Sequence, residues 1–241
     1  MRLRFSMMLA ALVCVSGLGV TGYAVANPGV AVCAASSILP LTRLKDGALV
    51  ESRSSDPDQP AVVQRLLLNA KGRIGEIFGE PQSIPIVVFF NSSTSFWPFR
   101  LNEYGSTQFI GAKTCVFIGP KGQNVDVIAH ELMHAEIADR IGVWAKFTDL
   151  PTWFDEGLAM QVDFRPEYDV AGGTNFEAQS VRALRSASEF FVPDSKQLTN
   201  NYASAKAEVA LWIERVGYSH VYAQLERMRR GELFEIVART N

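Results

Sequence analysis

Apolar residues in this chain switch between helical spacing and short continuous runs, and the switches mark its elements. Val62, Leu66, Ala70, Ile74 and Ile77 recur at helical spacing over 59–78, with Gly79 placed to close the helix. Residues 84–90 form a β-branched and aromatic run that predicts a buried strand. Residues 107–118 predict a strand pair, or one long strand broken near Gly111, ended by Gly119-Pro120. The clearest helix spans 124–140: Asn124 can cap it, Asp126 suits its positive end, and Gly142 can close it. Pro151 opens another helix to about Val162. Further on, 164–200 reads as loops around one helix at 177–190, followed by helices over 202–216, 220–228 and 232–238. Before Gln59 the pattern is weak, and 27–60 reads as short strands and loops. The loop 92–105 is rich in aromatics (Phe96, Trp97, Phe99, Tyr104), which either cap the core or line a pocket. A small mixed sheet followed by a mostly helical lobe makes the expected class α+β, in one domain over 27–241.

The first 26 residues depart from this pattern. Arg2 and Arg4 precede an apolar run, and Ala24-Val25-Ala26 is a small-x-small cleavage site, so 1–26 reads as a signal peptide. The same stretch is just long enough to serve as an uncleaved membrane anchor. Either reading places the body of the protein outside the cytoplasm, periplasmic or secreted, with no membrane contact beyond this segment. Of three cysteines, Cys14 lies within it; Cys33 and Cys115 are left to form one disulfide or to remain buried thiols. Hydrophobic residues make up 48% of the 241 and charged residues 20%, as in a folded globular protein. The net charge of −2 comes with no basic patch, so nucleic acid is not an expected partner.

Chemistry concentrates in the clearest helix. His130-Glu131-Leu132-Met133-His134 sets two imidazoles four residues apart, hence on one face. Two neutral imidazoles there can bind one zinc ion, and Glu131 beside them is free to act as a base. A catalytic zinc takes three protein ligands and keeps one position open. The best third ligand lies in Pro151-Thr-Trp-Phe-Asp-Glu-Gly-Leu-Ala159: Glu156, on a helix able to fold back antiparallel. Asp155 and His220 are its competitors. Asp155 and Asp163 are candidates for the carboxylate behind His130.

The His-Glu-x-x-His motif followed by Trp-Phe-Asp-Glu-Gly-Leu-Ala resembles the gluzincin metallopeptidases, the thermolysin-like and aminopeptidase-like group. The resemblance is close over 124–163 and extends loosely to 107–118 and Tyr202; it says little about 27–80 or 164–200. It implies a thermolysin-like zincin catalytic domain, with Glu156 as third ligand and a strand within 107–118 beside the cleft, where it pairs with substrate backbone. It also implies that Tyr202 donates to the developing oxyanion; from the residues alone, Tyr202 is equally a core aromatic. Gly111-Ala112-Lys113-Thr114 lacks the glutamate that grips a substrate amine in many aminopeptidases of the group, and Met160 stands where thermolysin-like members carry an aspartate.

The function expected from these readings is zinc-dependent hydrolysis of peptide bonds in a peptide or protein substrate, with one Zn2+ per chain. Two rivals share the same residues: a zinc amidase acting on non-peptide bonds, and a catalytically inactive zincin-fold binding protein.

Overall fold

The computed structural model describes residues 27–51, 58–169 and 181–239. The expected signal segment, with its cleavage site, lies outside the described residues. So does the beginning of the helix expected at 177–190. The architecture is mixed α+β, a five-stranded sheet with helices packed against it. No helix among the described residues is long and apolar enough to cross a membrane.

In chain order the sheet strands are β1 (Leu41–Arg43), β2 (Leu49–Glu51), β3 (Ile86–Phe89), β4 (Gly105–Ile110) and β5 (Lys113–Ile118). They lie in the order β1-β2-β3-β5-β4. β2, β3 and β5 run parallel, and β1 and β4 pair antiparallel at the two edges. The expected strand pair over 107–118 is therefore the β4–β5 hairpin, turning at Gly111 with φ 56°. β3 starts at Ile86 rather than Ile84. Pro85 has no N–H for a ladder, and Ile84 stands almost fully exposed.

Alternate strand residues serve two cores, because successive side chains point to opposite faces. Val50, Val87, Phe89, Val116 and Ile118 face the long helices α2 (Gln59–Phe78) and α3 (Val125–Ile141), meeting Val63, Leu67, Ala70 and Ile74 of α2. Leu49, Val88, Phe90, Cys115 and Phe117 face the other way. That face is covered by α1 (Pro28–Ala35) and by Phe96 and Leu101 of the aromatic loop. Phe96 thus belongs to the core, while Trp97 is exposed.

Helix α1 departs from the sequence pattern, which over 27–60 predicts short strands and loops only. Its run of Gly, Val and Ala has no amphipathic period to reveal it. Pro28 in its first turn was the available signal. Tertiary links hold it: the Cys33–Cys115 disulfide, and Lys113 Nζ donating to Cys33 O and Ser36 Oγ at 2.9 Å each.

After α3 the chain forms α4 (Val143–Thr148) and α5 (Thr152–Ala159), a turn of 3-10 helix at Met160–Val162, then α6 (Ala187–Phe190), α7 (Ser195–Val216), α8 (Val221–Arg229) and α9 (Phe234–Ala238). Among the described residues of the expected 177–190 helix, Val181 is helical, 182–186 is turn and loop, and α6 is a separate piece started by a Ser186/Glu189 capping box. α7 begins seven residues before Tyr202, capped by Asp194 accepting from Gln197 N at 2.7 Å.

Candidate metal centre

Helix α3 is capped as expected, with Val127 N donating to Asn124 Oδ1 at 3.0 Å. Sheet, α2 and α5 surround it, so almost every residue from Val127 onward is buried. One helical turn separates His130 from His134, and their ring centroids lie 4.8 Å apart. α5 brings Glu156 to the same place, wedged between α3 and α7. Gly157 permits that approach: a Cβ there would lie 2.4 Å from Ala205 O and 2.6 Å from Val209 Cγ2.

His130 Nε2 and His134 Nε2 are 3.1 Å apart, and Glu156 Oε2 is 3.4 Å from the first and 3.5 Å from the second. Bonds of about 2.0–2.1 Å at tetrahedral angles set ligand atoms about 3.3–3.4 Å apart. The three atoms therefore have the mutual spacing of one face of a coordination tetrahedron. Glu156 Oε2 is buried and has no hydrogen-bond partner, a costly state for a carboxylate oxygen unless a cation completes it. The donor set, two imidazoles and one carboxylate, suits a divalent cation.

Behind the ligands stand two clamped carboxylates. Asp155 Oδ1 lies 3.2 Å from His134 Nδ1, and Lys146 of α4 bonds both oxygens of Asp155. Asp163 Oδ2 lies 3.7 Å from His130 Nδ1, and Arg165 Nε donates to Asp163 Oδ1 at 2.9 Å. Asp155 thus lies behind His134 and outside the His130–His134–Glu156 group, and Asp163 is the carboxylate facing His130. With both imidazoles neutral, as metal binding requires, four carboxylates (Glu131, Asp155, Glu156, Asp163) against two cations (Lys146, Arg165) leave two formal negative charges, the complement of a divalent ion.

These charges set the protonation states. Burial opposes charging His134, but Asp155 and Glu156 push its pKa up to about 10 without a metal. Burial alone would raise Glu156, yet the neighbouring imidazoles hold it well below the usual carboxylate range. Lys146 does the same for Asp155, and Arg165 for Asp163. Glu131 is shifted the other way, upward, by burial.

Glu131 lies beside the ligands with Oε2 accepting from Thr107 Oγ1 of β4 at 2.8 Å. Gly105 leaves room for it, since a Cβ there would come within 2.7 Å of the Glu131 side chain. Tyr202 stacks its ring edge near His130, centroids 6.2 Å apart, and also touches Phe190 and Tyr168. Burial and the charges of Glu156 and Glu131 raise its pKa well above that of free tyrosine, so the phenol stays a donor.

All five side chains line one cleft of about 820 Å³. Edge strand β4 forms one wall; Phe147 and Phe191 stand on its other sides. His220, the distant alternative ligand, is exposed in the turn before α8 and takes no part. Sequence reasoning did not find Thr107, Lys146 or Arg165. Lysine and arginine carry no motif at these positions, and only the packing of α4 and the 3-10 turn brings them in.

Compared with known proteins, the chain matches no family model and no curated sequence. The chain does hold a buried His130–His134–Glu156 group, spaced to hold a metal ion and lining an open cleft.

Proposed function

We propose that this protein is a zinc-dependent hydrolase of peptide bonds, built on a thermolysin-like plan and working outside the cytoplasm. The observation that carries the reading is the meeting of His130 Nε2, His134 Nε2 and Glu156 Oε2 within 3.5 Å of one another, with Glu131 beside them on the same helix as the histidines and outside that group. A structural zinc site would be closed by four protein ligands. Here, among the described residues, three converge and face a cleft, which favours an enzyme over an inactive binding protein.

Zinc held by these residues would polarise a carbonyl oxygen and acidify a water molecule. Glu131, its pKa raised by burial, takes the proton of that water and delivers it to the leaving amine. Thr107 holds the carboxylate in line while it does so. Tyr202, kept protonated, donates to the oxyanion as charge develops there. Among the described residues β4 is an edge strand, and it lines the cleft where an extended substrate would pair by strand addition. The Cys33–Cys115 disulfide supports an oxidising compartment.

The test is metal analysis with a peptide-cleavage assay under chelator control. Wild type should carry about one zinc per chain and lose cleavage on chelation. Glu131→Gln should keep zinc and lose about 10²–10⁴-fold in kcat. His134→Ala and Glu156→Ala should lose zinc, whereas Asp155→Ala should weaken binding without abolishing it. Zinc-free wild type, or full cleavage by Glu131→Gln, refutes the reading.

A further inference from the structure

Helix α4 faces the wrong way for its composition. It buries Lys146, 7% exposed, and leaves Trp144 and Phe147 of the same helix 80% and 69% exposed. Lysine is almost never fully buried unless paired, and a tryptophan and a phenylalanine offer about 150–250 Å² each for burial. Hydrophobic burial alone would turn the helix over. The force that opposes it is the ion pair of Lys146 Nζ with both oxygens of Asp155.

The pair does not end at Asp155. Oδ1, one of the atoms held by Lys146, lies 3.2 Å from His134 Nδ1. An ionised carboxylate only accepts hydrogen bonds, so the proton between them belongs to Nδ1, and in the neutral ring that a metal requires it is Nε2 that carries the lone pair. We propose that Lys146 is a positioning residue of the metal centre: it locks the Asp155 carboxylate so that His134 keeps one tautomer and one ring orientation. This rests on the metal-binding reading above. The reach runs through α4, which explains why a short helix between α3 and α5 carries a buried lysine.

The experiment measures zinc affinity by competition with a chromophoric chelator, and the visible spectrum of the cobalt-substituted protein, for wild type and variants. Lys146→Met should bind zinc about 10–100-fold more weakly and shift the cobalt bands, as loss of an outer partner does. Lys146→Arg, which keeps the cation, should bind more tightly than Lys146→Met. Asp155→Asn should weaken binding to a similar degree, and Lys146→Met/Asp155→Asn should be no weaker than the worse single variant, since both act along one path. Lys113→Met removes another anchoring lysine, one that does not line the cleft, and should leave the cobalt spectrum unchanged. If Lys146→Met does not fold, Lys146→Arg and Asp155→Asn decide the matter by the same readouts. Wild-type affinity and an unshifted spectrum in Asp155→Asn and the Lys146 variants overturn the proposal while leaving the metal centre intact. A wild type that takes up no metal overturns both.

Discussion

Gly157→Ala is the substitution that most directly joins the packing of this fold to its chemistry. The added carbon would begin 2.4 Å from Ala205 O and 2.6 Å from Val209 Cγ2. A carbon–oxygen contact relaxes to about 3.3–3.6 Å, so α5 and α7 must part locally by about 1 Å. Backbone oxygen cannot rotate away as a flexible side chain would. Overpacking of this kind costs about 1–3 kcal/mol of stability. Glu156 is the preceding residue, and a site built to tolerances of about 0.5 Å loses its geometry when one ligand moves by twice that. A displacement of about 1 Å costs about 100-fold in activity. Denaturant unfolding and zinc titration of the same preparation read the two effects together. Gly72→Ala is the control: it lies exposed in α2 with no atom within 4 Å of its Cβ position, and should gain about 0.5–1 kcal/mol with zinc affinity unchanged. Wild-type stability and zinc affinity in Gly157→Ala would show that close approach of α5 and α7 does not set the position of Glu156.

Metal uptake should release a proton, because the pKa of His134 is pushed up to about 10 in the metal-free protein and a metal-bound imidazole must be neutral. Apparent affinity should therefore rise by about tenfold per pH unit through neutrality and level off above His134's pKa; calorimetry in buffers of different ionisation enthalpy counts the proton, and none released would sink the idea. Reduction of Cys33–Cys115, which closes a span of 82 residues, should lower stability by about 4.5 kcal/mol on loop entropy, measured by unfolding with and without reductant. Glu136 is fully buried on α3, accepting from Gln82 N, Ser83 N and Arg140 Nε. Glu136→Ala should cost about 3–5 kcal/mol by stranding those donors, while the folded fraction keeps its zinc affinity.

Local sequence determined a good deal here. The helix over 59–78, the caps of α3 and the strand within 84–90 are properties of short stretches and all appear, although the buried stripe of α2 runs through Val63 and Leu67 with Val62 exposed, and β3 begins only at Ile86. The imidazole pair is of the same kind, because i and i+4 on any helix share a face. Glu156 was legible only as a candidate beside Asp155: adjacent residues on a helix point about 100° apart, and which one meets the histidines depends on how α5 docks. Docking is decided by Gly157 against Ala205 and by the Trp153, Phe154, Trp212 and Phe234 cluster, contacts between residues far apart in sequence. Helix α1 lacked an amphipathic stripe and exists as observed because a disulfide and Lys113 fix it to the sheet. Lys146 shows the limit most clearly: read alone it is one more surface lysine, and only the tertiary fold, by setting a buried carboxylate opposite it, makes burying that charge cheaper than burying the tryptophan two residues away.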